Sequence, residues 1–158
     1  MQKGVSENER QQTSKFRGTK RTLVLVDRAT RMTIIRKTAS LTSIQTAKSI
    51  LKATKPYRNT IKSITYDNGK EFSKHEKINK ILNTKSYFCK PYHSWEKGMV
   101  ENINGLIQRF FPKETDFDTI SEEQTAYVED WSNNRPMKIL NYMTPRQKLQ
   151  HFSVAIAS

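Results

Sequence analysis

Asp67 and Glu101 are the two residues in this chain best suited to chemistry. Asp67 closes an apolar strand-like run, Ile61–Tyr66, and is followed at once by Asn68-Gly69. Glu101 stands early in a helix-like segment, Met99-Val-Glu101-Asn-Ile-Asn104, and 33 residues lie between the two acids. A carboxylate at a strand end and another on a helix can converge on divalent cations, the arrangement that phosphoryl transfer on nucleic acid needs. The carboxyl end of a strand is also where open α/β sheets place ligands. Two carboxylates held together repel without a cation, and Mg2+ binds through one or two carboxylates plus phosphate oxygens and water. A plainer reading exists for each residue. Asp-Asn-Gly is a turn signal, and an acid in a first helical turn favours the helix dipole. No convincing third carboxylate lies upstream.

The elements that must position this pair follow from apolar periodicity. Residues 1–20 are polar and charged, and read as a flexible basic arm. Thr22–Asp27 is a buried strand, Arg28–Arg31 a turn and Met32–Ile35 the returning strand. Thr42 or Ser43 caps a helix whose apolar face is Ile44, Ala47, Ile50 and Leu51, and Pro56 ends that region. The strand before Asp67 comes next, then a helix with Ile78, Ile81 and Leu82 on one face, and a short strand Ser86–Cys89. Lys90–Lys97 is a polar loop. From about Gly98 to Phe111 the pattern is helical, with Val100, Ile103, Leu106, Ile107 and Phe110 facing inward and Pro112 stopping it. Glu101, Asn104 and Gln108 then share the opposite, polar stripe. Ser121-Glu-Glu-Gln124 is a capping box before a helix carrying Tyr127, Val128 and Trp131, and Thr144-Pro145-Arg-Gln147 repeats that signature. The order predicts one mixed α/β domain.

Composition narrows the function classes. The chain has 158 residues and a formal net charge of +13. Such a balance favours polyanionic partners, nucleic acid first, through phosphate contacts and counterion release. The single cysteine, Cys89, excludes a disulfide framework within the chain and suits a reducing compartment. No apolar run approaches the roughly 18 residues of a membrane span, and residues 1–20 hold no signal-peptide core. A cytoplasmic location, without membrane contact, is the expectation. No Cys/His cluster has zinc spacing, and the five glycines are scattered rather than gathered in a phosphate loop.

Other residues weigh less. Lys90, Lys97, Arg109 and Lys113 flank the helix of Glu101 and could position DNA through phosphates. His93 and Trp95, in the loop before that helix, could touch DNA or close over the site, and Asn104 could bond substrate. Each has an ordinary alternative as a solvated or packing position. Asp27 is the tempting additional acid, but it ends a strand and opens a hairpin turn, which explains it without chemistry.

Several stretches resemble a known group. They are Thr65-Tyr-Asp67-Asn-Gly-Lys-Glu-Phe72, the run from Tyr87 through Pro91, Trp95 and Gly98 to Glu101 and on to Phe-Phe-Pro112-Lys113, and Asn133-Asn-Arg-Pro136 up to Met143-Thr-Pro145. Together they resemble the catalytic core of DDE transposases of the retroviral-integrase superfamily, most similar to the bacterial insertion-sequence-thirty family, from about Thr22 to Leu149. The resemblance implies an RNase H-like mixed sheet flanked by helices, in which three carboxylates hold two Mg2+ (or Mn2+) ions. Asp67 matches the second acid and Glu101 the third. The first acid belongs on the first strand of a three-strand meander, and only two strands are legible before the first helix. The expectation is therefore a sheet lacking its first strand, in a chain truncated at its N-terminus, with residues 21–150 as a partial core and 151–158 as a tail.

The resemblance further implies DNA transposition or integration by metal-dependent strand cleavage and strand transfer, with DNA as partner and a homodimer in a synaptic complex. With one acid missing, the chain is expected to be inactive alone. Two rivals stand beside this reading: a non-catalytic nucleic-acid-binding remnant of a transposase, and an RNase H-like nuclease acting on another substrate.

Overall fold

The computed structural model describes residues 11–15, 22–90, 98–112 and 114–157, with backbone alone at 11–15, 100 and 152–157. Five strands form one sheet: β1 Gln11–Lys15, β2 Thr22–Asp27, β3 Thr33–Lys37, β4 Ser63–Tyr66 and β5 Lys85–Phe88, in the order β3-β2-β1-β4-β5. The hairpin partners β1, β2 and β3 run antiparallel, whereas β4 and β5 lie parallel to β1. The described residues form five α-helices, α1 Ser43–Thr54, α2 His75–Leu82, α3 Gly98–Phe110, α4 Glu122–Asn133 and α5 Pro145–Ala157, of which α1 to α4 pack on the sheet.

The two-residue period of the strands sorts the core into two layers. In β2, Leu23 and Leu25 join Ala47, Ile50 and Ala53 of α1 and Ile78 and Leu82 of α2. Val24 and Val26 point the other way, to Ile103, Leu106 and Ile107 of α3 and Val128 of α4. Burying such aliphatic side chains contributes about 1.5–3 kcal/mol each. Ile64 and Tyr66 of β4 belong to the α1–α2 layer. The alternate positions of that strand, Ser63 and Thr65, therefore lie on the α3 side, and one further step along the pleat is Asp67.

Two expectations about apolar faces need correcting. Ile44 is 58% exposed, because the buried stripe of α1 runs through Ala47, Ile50 and Ala53 instead. Ile81 is 37% exposed at the rim of α2, where its carbonyl accepts a hydrogen bond from Arg58 Nη2 (2.8 Å).

The expectation of a missing first strand is overturned. Gln11–Lys15, read as part of a flexible arm, is the central strand: Gln11 to Lys15 pair with Asp27 to Leu23, and Gln11 and Gln12 with Ile64 and Thr65. The segment Gln-Gln-Thr-Ser-Lys has no apolar alternation, so periodicity could not reveal it. Its place is explained by its neighbours. Without it, the facing edges of β2 and β4 would present rows of unpaired backbone groups beside the core. Main-chain pairing is indifferent to side-chain polarity, and a polar segment can supply it.

Among the described residues, the outer edge of β3 is closed by side chains rather than by another strand. Asn133 accepts from the backbone N–H of Thr33 and donates to its carbonyl, both at 2.8 Å and buried. One turn earlier on α4, Glu129 Oε2 accepts from the N–H of Ile35 (2.7 Å) and pairs with Arg36 Nη1 (2.5 Å). Both proposed capping boxes form. Ser121 and Gln124 exchange side-chain-to-backbone bonds at α4, and Thr144 and Gln147 do so at α5. Helix α5 continues past residue 150 to Ala157, across the boundary drawn between core and tail.

Candidate functional site

Asp67 leaves β4 at its carboxyl end. The carbonyl of Tyr66, the last β4 residue, accepts from Cys89 N (2.9 Å), which keeps β4 and β5 together up to that point. Beyond it the chain turns. Asp67 Oδ1 accepts from the N–H of Gly69 (3.2 Å), and Asn68 Nδ2 donates to the Cys89 carbonyl (2.8 Å). The turn reading of Asp-Asn-Gly is thus realised, and it holds the half-buried aspartate at the strand end. Gly69 lies under the Glu71 carboxylate: a Cβ there would come within 2.5 Å of its oxygen.

An aromatic cluster fixes the base of this loop. Tyr66 is fully buried, with Phe72 and Phe88 rings 5.1 and 5.6 Å from its own, and His75 meets Phe88 edge-on at 4.9 Å. Burial pushes the Tyr66 phenol well above its ordinary value, and the Ser86 hydroxyl nearby acts in the opposite, lesser sense. Ser86 is itself committed to Asn79 Oδ1 at 2.7 Å.

Glu101 is exposed in the first turn of α3. That turn is seated beside the β2–β3 connection, where the Arg31 guanidinium touches the Met99 sulfur. Of the expected inner face of α3, Ile103, Leu106 and Ile107 are buried and Phe110 is half-buried against Trp131 at a ring distance of 4.9 Å, while the Val100 side chain lies outside the description. Asn104 and Gln108 are half-buried and Arg109 is exposed; Lys90, after β5, is exposed too. His93, Trp95, Lys97 and Lys113 lie outside the described residues.

Asp27 is occupied by the turn it opens. Its carboxylate accepts from the N–H groups of Ala29 and Thr30 (3.3 Å each) and from the Thr30 hydroxyl (2.5 Å). It pairs with Gln11 across β1, and Gln11 in turn is level with Ile64, three residues short of Asp67. Two strand spacings across and three residues along put Asp27 about 14 Å from Asp67, far beyond a shared cation with bonds near 2 Å.

These positions test whether a three-carboxylate, two-cation centre fits. Among the described residues, no group of three or more His, Cys, Asp or Glu side chains is placed to hold a metal ion. The strand beside Asp67 reads Gln-Gln-Thr-Ser-Lys and carries no acid. The full centre does not fit the residues present.

Charge is divided unevenly along the chain. Residues 43–90, which carry α1 and α2, hold eleven Lys and Arg against three acids, and all eleven cations are exposed. Residues 98–149, which carry α3 and α4, hold six against eight. Sequence alone pointed to phosphate contacts around α3 and not to this richer stretch, because a net charge taken over the whole chain hides its division along the sequence.

Comparisons with known proteins agree with this architecture. The family described as Integrase core domain matches residues 10–94, a span that includes β1. The transposase for insertion sequence element IS4351 of Bacteroides fragilis is 47% identical over 140 residues, covering 86% of this chain and 43% of that protein. Transposase InsI for insertion sequence element IS30C of Escherichia coli K12 is 33% identical over 127 residues, covering 80% of this chain and 33% of that protein. The chain thus spans less than half the length of these curated relatives. Among solved structures, the catalytic core domain of BIV integrase superposes with a TM-score of 0.72 at 19% identity, covering 96% of this chain and 99% of that one. The HTLV-2 integrase catalytic core domain in complex with magnesium gives 0.67 at 20% identity, covering 92% and 98%. At such identities the likeness is one of fold, and integrase catalytic cores have the RNase H-like fold.

Proposed function

The chain belongs to the integrase core domain family, and from that premise we propose that it is the catalytic-core portion of a DNA transposase. Its partner is DNA. Asp67 and Glu101 are the two acids that face the DNA strand being processed, and a homodimer brings two element ends together. The work is done in the cytoplasm, and among the described residues no helix is long and apolar enough to cross a membrane. The observation that carries the reading is the position of Asp67 at the carboxyl end of β4. The strand's alternation places it on the face that α3 covers, the helix on which Glu101 stands. Mg2+ or Mn2+ in a pair is the family's expected cofactor. With two of three carboxylates, this chain supports DNA binding better than strand chemistry, so no catalytic step is assigned to it.

The basic α1–α2 layer favours backbone contacts to duplex DNA, with affinity carried by phosphates rather than by base edges. A second reading, a nucleic-acid-binding remnant without chemistry, is favoured by the acid-free β1. The deciding assay is nicking and strand transfer on DNA with Mg2+ or Mn2+, run beside a binding titration. The proposal expects salt-dependent binding and no cleavage by the unaltered chain. Absence of binding at low salt would remove DNA as partner. Robust cleavage abolished by Asp27→Asn would overturn the assignment of the acids.

A further inference from the structure

The sheet register identifies the β1 position that comes level with Asp67. Ser14 pairs with Val24, a residue that faces α3. On the other side, β1 and β4 pair one-to-one and in parallel, Gln11 with Ile64 and Gln12 with Thr65. Extended by two residues, one of them past the end of β4, the same register brings Ser14 level with Asp67. Residues directly opposite across a ladder share a face, so this position lies on the same side as Asp67 and α3. Neighbouring strands are about 4.8 Å apart, and two cation–oxygen bonds span about 4 Å. A carboxylate at position 14 would therefore reach a cation held by Asp67, as Asp27 cannot.

We propose that position 14 in the register is the remaining ligand position of a divalent-cation site whose other members are Asp67 and Glu101, and that a serine at that position, in place of an acid, leaves the site unable to hold the ion. A serine hydroxyl is a neutral, weak donor toward a hard cation, whereas an aspartate adds a full charge to a pair that already needs a counter-ion. Restoring the acid converts a site that binds divalent cations poorly into one that binds them well. This rests on Asp67 and Glu101 being cation ligands, and the variants separate the two claims.

The test is Mn2+ binding, followed by paramagnetic relaxation of water protons and by the thermal midpoint with and without Mn2+ or Mg2+. The variants are Ser14→Asp, Ser14→Asn, Thr13→Asp and, in the Ser14→Asp background, Asp67→Asn and Glu101→Gln. Ser14→Asp is expected to bind Mn2+ at least about tenfold tighter than the unaltered chain. Ser14→Asn and Thr13→Asp should show no gain, and either second substitution should abolish it. If Ser14→Asp unfolds from repulsion with Asp67, the expectation is that millimolar Mn2+ restores the folded transition. A chain that stays unfolded, or a gain given equally by Thr13→Asp, overturns the register. Tight binding by the unaltered chain, lost in Asp67→Asn, overturns the role of Ser14 and leaves the Asp67 assignment standing. A gain in Ser14→Asp that survives both Asp67→Asn and Glu101→Gln overturns the site itself.

Discussion

Replacing Asn133 with alanine is expected to cost this fold a large share of its stability, although the residue touches no proposed site. Asn133 is 2% exposed and makes two 2.8 Å bonds to the backbone of Thr33. Each neutral hydrogen bond contributes about 0.5–1.5 kcal/mol net, and a buried group left without a partner costs about 1–3 kcal/mol. Removing the amide loses both bonds and strands one N–H and one C=O on the sheet edge, with water recovering part of the loss. The sum is about 3 kcal/mol against the 5–15 kcal/mol typical of a domain. For a chain of this size it corresponds to a thermal midpoint lower by about 6–12 °C. Urea unfolding monitored by circular dichroism reads it directly. Asn134→Ala is the control: that residue is exposed and, among the described residues, its side chain bonds to the Asp130 carbonyl and to Arg146, so about 0.5 kcal/mol is expected. A loss for Asn133→Ala below about 1 kcal/mol, or no larger than the control's, would refute the view that α4 side chains close the β3 edge.

Further outcomes follow from the same structure. Burial raises the Tyr66 phenol above its ordinary value, so its stabilising contribution is whole below the unfolded value and declines as pH rises past it. From pH about 10 upward the unaltered chain should lose about 1.4 kcal/mol per pH unit relative to Tyr66→Phe. A gap between the two urea midpoints that does not widen with pH would contradict this. On the basic layer, changing Lys48, Lys52, Lys55 and Arg58 to glutamine should flatten the dependence of log affinity for duplex DNA on log salt. The expected change in slope is about 0.9 for each phosphate no longer neutralised. An unchanged slope in fluorescence anisotropy would move the DNA-binding face elsewhere.

How much of this is legible in the sequence depends on whether a residue's role is local. The strand Thr22–Asp27 and the helices of Ile50 and Ile107 announce themselves through apolar spacing, because each buries one face on the sheet. The Asp67-Asn-Gly turn and the Asp27 turn are likewise written in neighbouring residues, and their hydrogen bonds are the ones such turns make. The strand Gln11–Lys15 is illegible because its place is set by main-chain pairing to two distant strands, and its side chains carry no apolar pattern. Asn133 stands out only as part of a resembling stretch. Its bonds to Thr33 join residues 100 apart in sequence, and local pattern carries no trace of such a contact. Ser14 gains meaning only through its register with Val24.

The proposed site depends on Gln11–Lys15 closing the sheet between Thr22–Asp27 and Ser63–Tyr66. Residue-resolved amide hydrogen exchange measures that pairing directly. Protection of the Gln12, Thr13 and Ser14 amides comparable to that of Val24 and Val26 is the predicted result. Exchange of those three amides at the rate of an unstructured peptide, while the rest of the sheet stays protected, would contradict it.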